Sequence, residues 1–93
     1  MHILLVEITI QIPSAHSLKE KRSSVKSIVT RLRDHFNVSV AEVEHHDVWQ
    51  TAGLAIVTVS NIQSRVEKTA RQALEMIESR FDVVVIGIQE TWL

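Results

Sequence analysis

The chain has no cysteine and no tyrosine, one proline, two glycines, and aromatic residues at only 4% of its 93 positions. Without cysteine there is no disulfide framework, no thiolate metal site and no cysteine nucleophile, and the composition suits a reducing compartment. A charge surplus is missing too: 10 Lys and Arg face 11 Asp and Glu, for a formal charge of −1. Non-specific nucleic-acid binding relies on a large basic excess, so contact with a polyanion would have to come from a local patch. No apolar run approaches the length of a membrane span; "VVVIGI", 83–88, is far too short. The opening "MHILLVEITIQIP" has no basic start, and Glu7 interrupts its apolar run too early for a leader peptide. These absences predict a cytoplasmic protein with no membrane contact, and its length and 45% hydrophobic content predict a single domain over 1–93.

What the chain does have is clear patterning. From His2 to Ile12 residues alternate, with Leu4, Val6, Ile8 and Ile10 on one face and Ile3, Leu5, Glu7 and Thr9 on the other. That is a half-buried strand, ended by Pro13. Ser17 followed by Glu20 is a capping-box spacing, and Leu18, Val25, Ile28, Val29, Leu32 and Phe36 form an apolar helical stripe behind it. "NVSVAEVE" (37–44) and "TAGLAIVTVS" (51–60) return to strand patterning and pair as a hairpin across "HHDVWQ". Ser60 or Asn61 caps a second helix with a stripe of Ile62, Val66, Ala70, Ala73, Leu74 and Ile77, and "FDVVVIGI" (81–88) is the last strand.

The order β-α-β-β-α-β is that of α+β, ferredoxin-like domains, a four-stranded antiparallel sheet with both helices on one face. The uncovered face would then hold Ile3 and Leu5, and the third and fourth strands read as apolar on both sides. Soluble monomers rarely leave so much apolar surface wet. The expectation is a homodimer through the open sheet face, with Ile3 and Leu5 in the interface.

The start of the first helix carries Lys19, Lys21 and Arg22, although a helix N-terminus already bears about half a positive charge. On a helical wheel Lys19, Arg22, Lys26 and Arg33 fall within roughly 60° of one another along one flank of the apolar stripe. With His16 at the mouth and free backbone N–H groups beside it, this flank is a candidate anion or nucleic-acid surface. The competing reading is a solvated flank whose alkyl stems cover the core. In "EVEHHDVWQ" strand geometry puts Glu42, Glu44 and His46 on one face and His45 on the other, with no convergent ligand set; no metal or cofactor is expected. Trp49 is a candidate partner contact, by stacking on a base or, more in keeping with its type, by packing over the sheet end or a dimer seam.

"HSLKEKR" (16–22), "FNVSVAEV" (36–43) and "DVWQ" (47–50), in that order, resemble the signature stretches of the YlxP-like family, small bacterial proteins of unknown function. The resemblance covers nearly the whole chain. It implies a ferredoxin-like fold and a homodimer. It also implies a role around translation, since genes of the family often neighbour those of translation initiation factor two and ribosome-binding factor A. It brings no catalytic residues.

Three functions compete. The first is a non-enzymatic binding module that meets RNA or a ribosomal partner through the first-helix flank, although the central strands offer no aromatic pair for base stacking. The second is a protein-partner homodimer without nucleic-acid contact. The third is a phosphate-handling enzyme of acylphosphatase-like fold, which ranks lowest. Its Gly-rich anion nest has no counterpart in "IPSAHSLKEKR", and no G-x-S-x-G turn offers a serine nucleophile. An enzyme is therefore the less favoured reading, and no catalytic residue is assigned.

Overall fold

The strand that opens the chain, β1 (His2–Gln11), forms the centre of the sheet because its even-numbered residues are all aliphatic from Leu4 on. The structure is a computed structural model and describes residues 1–45 and 48–93. After β1 come α1 (Leu18–His35), β2 (Val38–Glu44), β3 (Thr51–Ser60), α2 (Gln63–Glu78) and β4 (Val84–Trp92). The sheet is antiparallel in the order β2-β3-β1-β4, which is the ferredoxin-like α+β arrangement. Among the described residues, no helix is long and apolar enough to cross a membrane.

Cross-strand register sorts the two faces. Leu4, Val6, Ile8 and Ile10 stand opposite Thr58, Ile56, Leu54 and Ala52, and all eight are buried under the helices. From α1 the core receives Val25, Ile28 and Leu32, and from α2 Val66, Ala70, Ala73 and Ile77. The two alanines let α2 lie close to the sheet.

Two elements depart from the sequence expectation. The last strand starts three residues later than the pattern suggests and runs on to Trp92. Its first expected residues are held instead in a turn, where Arg80 donates twice to the Asp82 carboxylate at 2.9 Å and once to Ser27 Oγ on α1 at 3.2 Å. As a result the open face of β4 carries Gly87, Gln89 and Thr91, opposite Thr9, Glu7 and Leu5, and is more polar than "VVVIGI" implied. Helix α2 takes neither expected residue as its N-cap: the cap position is Ile62, and the Ser60 hydroxyl accepts from the Ile62 N–H in the turn before it.

The Arg80–Asp82 clip carries a prediction. Arg80 holds the Asp82 carboxyl below the ordinary carboxylate range, Ser24 assists, and burial works in the opposite direction. A depressed folded-state pKa stabilises the fold above the unfolded value of about 4 and is lost as pH falls through the folded value. Asp82→Asn should lower stability at neutral pH by about 1.5 kcal/mol, the scale of charge-assisted hydrogen bonds. The gap should begin to close below about pH 4, and variant and parent should converge once the pH has fallen through the lower folded value. Urea denaturation at both pH values checks this, and an unchanged gap would remove Asp82 from the acid response.

Candidate functional site

The crowding of cations at the α1 opening has two separate answers. Ser17 is the N-cap as the spacing implied, its hydroxyl accepting from the Glu20 N–H at 3.1 Å. The Glu20 carboxylate reaches back to the backbone N–H of His16 rather than to that of Ser17, placing a negative charge over the first turn. Lys21 does not reach solvent at all. Its side chain is 0% exposed, and Nζ lies 3.2 Å from Glu42 Oε2 on β2. It donates to the carbonyls of His45 at 2.7 Å and Thr51 at 3.4 Å. The cation therefore bridges both arms of the β2–β3 hairpin beneath the first turn of α1.

The signal for this was present. Leu18, Lys21, Val25, Ile28 and Leu32 have a 3-4-3-4 spacing, so Lys21 occupies a position of the apolar stripe itself. Glu42 supplies the complementary charge because its side chain turns to the helix side. A register shift between Glu42 and Glu44 then reverses the faces in the last part of β2: Glu44 comes to rest beside Gly53, where an added Cβ would meet Glu44 Cβ at 3.0 Å. The shared face expected for Glu42 and Glu44 is thus removed by the bulge, and His46, the third member of that set, lies outside the described residues. His45 adopts a left-handed φ of 61°, turning the chain so that its carbonyl meets Lys21.

With Lys21 withdrawn, Lys19, Arg22 and Lys26 remain exposed along one flank of α1, and none of the three has an ion-pair partner among the described residues. Arg33, the fourth expected member, is also exposed, but its Nη2 donates to the Val40 carbonyl of β2 at 2.8 Å. Its charge is tied to the edge of the sheet, and the flank of three cations runs along that same side. His16 is exposed at the mouth, with its backbone N–H taken by Glu20.

Trp49 is 54% exposed in the β2–β3 connection, and the next residue, Gln50, holds that connection against the α1 approach by donating to the carbonyls of Pro13 and Ala15, each at 3.2 Å. An exposed indole and the helix opening therefore stand at one end of the molecule. On the opposite flank of α1 a cleft of about 300 Å³ is lined by Ser27, Arg31, Met76, Arg80 and Phe81, with Asp82 already held by Arg80. Ile3 and Leu5 are half-buried on the open sheet face, beside Val57 and Val59 of β3.

Residues 3–90 match the family described as "Protein of unknown function (DUF503)". The chain belongs to the DUF503 family. It is similar to a protein described as "Uncharacterized protein YlxP" from Bacillus subtilis (strain 168), at 42% identity over 65 residues, 70% of this chain and 71% of that one. Among solved structures it resembles "De novo designed protein Foldit4", with a TM-score of 0.60 at 17% identity over 96% of both chains, a likeness of fold alone. The bacterial family anticipated from the helix opening and the hairpin is thus the one the chain belongs to, and the DUF503 match spans the capped α1 opening, Lys21 and Glu42 alike.

Proposed function

We propose that this DUF503 protein is a non-enzymatic binding module that holds single-stranded RNA, in a ribosomal setting, on the exposed flank of α1. The observation that carries this reading is that Lys19, Arg22 and Lys26 are exposed along one flank of α1 without ion-pair partners among the described residues, while the exposed Trp49 lies in the connection that Gln50 ties to the approach to that helix. Such cations can follow phosphates, and an exposed indole can stack on a base without sequence preference. Buried or half-buried charges elsewhere are engaged in structure, Lys21 with Glu42 and Arg80 with Asp82, which favours binding over catalysis.

Three phosphate contacts imply a log–log salt slope near −2 for a single strand. In the double variant Lys19→Glu, Arg22→Glu, binding to a single-stranded RNA oligonucleotide should weaken and the slope should flatten toward about −0.7. The fold should be intact, because carboxylates suit a helix start. Fluorescence anisotropy across a salt series measures both quantities. No salt-dependent affinity in the parent protein would defeat the RNA reading.

A second reading is a homodimer without nucleic-acid contact. It is supported by apolar side chains that the sheet leaves wet, Leu5, Val57 and Val59 on the open face and Val84, Ile86 and Ile88 along β4.

A further inference from the structure

The two edges of the sheet are unlike. The β2 edge is seven residues long, is bent by the register shift after Glu42, and has the Val40 carbonyl occupied by Arg33. Bulges and charged side chains of this kind discourage another strand from adding. The β4 edge has neither an Arg cap nor a lysine. It is nine residues long, and its one charged residue is Glu90.

The register shows which backbone groups of β4 are turned outward. Leu93 N–H donates to the Ile3 carbonyl at 2.9 Å, so Ile3 and Leu93 form a hydrogen-bonded pair. Antiparallel pairs alternate, which makes Leu5–Thr91, Glu7–Gln89 and Thr9–Gly87 the other bonded pairs. The N–H and C=O groups of Ile88, Glu90 and Trp92 therefore face away from β1, toward the free edge. Their side chains lie on the helix side, opposite Ile8, Val6 and Leu4. Helix α2 covers them poorly: Ile88 is 46% and Trp92 44% exposed, and a groove lined by Leu4, Ala70, Leu74, Glu90 and Trp92 stays open beside the strand.

Resting on the second reading above, we infer that β4 is the dimer seam and that it pairs antiparallel with β4 of a second copy. Outward backbone donors and acceptors at alternate residues are matched by a β-strand and by no other element. The copy itself suits the edge. A two-fold pairing centred at Gln89 sets Glu90 opposite Ile88 of the second copy, whereas one centred at Glu90 would oppose the two carboxylates directly. It also brings Ile88 and Trp92 of both copies to the same side, where each set covers the other. The register shift between Thr9 and Ile10 limits the pairing to the stretch after Ile86. Because the β2 edge is guarded, association closes at two copies and does not propagate.

The product is an eight-stranded sheet with four helices on one side. Its two α1 flanks lie at opposite ends, about seven strand spacings or ~34 Å apart. Stacking through the open faces would instead bury Leu5 and Val59 between sheets.

Sedimentation velocity at micromolar concentration on the full chain and two variants separates these arrangements. The expected result is a dimeric parent, a folded monomer for Ile88→Glu, which sets carboxylates opposite one another at both Ile88–Glu90 pairs, and a dimer for Leu5→Lys. A dimeric parent that Ile88→Glu leaves intact and Leu5→Lys dissociates overturns the β4 seam while the homodimer reading stands. A monomeric parent overturns the homodimer reading itself, including a monomer that takes up an extended peptide of another protein on β4. Should Ile88→Glu not fold, single cysteines decide, since the chain has none of its own. Gln89→Cys, at the two-fold, should oxidise to a covalent dimer and Val59→Cys should not. The reverse pattern, or no cross-link from Gln89→Cys, overturns the seam.

Discussion

Replacing Lys21 by alanine should cost about 3–5 kcal/mol. The substitution leaves the Glu42 carboxylate without its cation where 19% of that side chain reaches solvent, and it opens a void under the first turn of α1. The carbonyls of His45 and Thr51 lose a donor at the same time. Glu42 Oε2 makes an ion pair with Lys21 but no well-directed hydrogen bond, so the carboxylate depends on that one charge. Glu42→Ala should be comparably damaging, because it removes the Glu42 carboxylate from a buried lysine. The double replacement Lys21→Met, Glu42→Leu should recover most of the loss, since apolar pairs of similar volume substitute for buried ion pairs at little or no cost. Chemical denaturation of all four proteins checks this. If Lys21→Ala unfolds at nearly the parental denaturant concentration, the lysine is solvated in solution and the bridge between α1 and the hairpin does not hold them together.

The second large effect contrasts two neighbouring leucines. Leu4 is 1% exposed, between α2 and the centre of the sheet, and Leu4→Ala should cost about 2–5 kcal/mol through lost burial and the remaining cavity. Leu5 points to the open face, and Leu5→Ala should cost under about 1 kcal/mol if that face is wet. The comparison bears on association as well as on the core. Equal losses for the two residues, together with a stability that rises with protein concentration, would mean that a second copy covers the open face and that the β4 seam is wrong.

Much of the architecture was legible because burial imposes a period. Alternation gave β1 with its correct faces, the apolar run 51–60 located β3, and the 3.6-residue stripes of α1 and α2 contain nearly all the residues that the helices bury. Ser17 followed by Glu20 marked the start of α1, since a cap is a local device formed within four residues. The start of β4 was not legible. Val83 to Ile88 is apolar throughout, so no periodicity marks where the turn ends; the Arg80–Asp82–Ser27 clip decides it, and one partner is 53 residues away.

The candidate site divides along the same line. That Lys19, Arg22, Lys26 and Arg33 share a flank results from helix geometry alone, and the sequence determined it. Which of those charges remain available depends on what other elements bring to them. Arg33 meets the Val40 carbonyl because β2 passes beside α1, and Trp49 stands at the helix opening because Gln50 ties its connection to the carbonyls before α1. Lys21 is the sharpest case. Its spacing placed it on the buried stripe, yet a lysine there is tolerable only with a carboxylate opposite. Glu42 provides one because the β2–β3 register turns it inward and the bulge beyond it turns Glu44 away. Periods and caps are set by neighbours in the chain, whereas the pairing of a buried charge is set by strands and helices that meet only when the chain has folded.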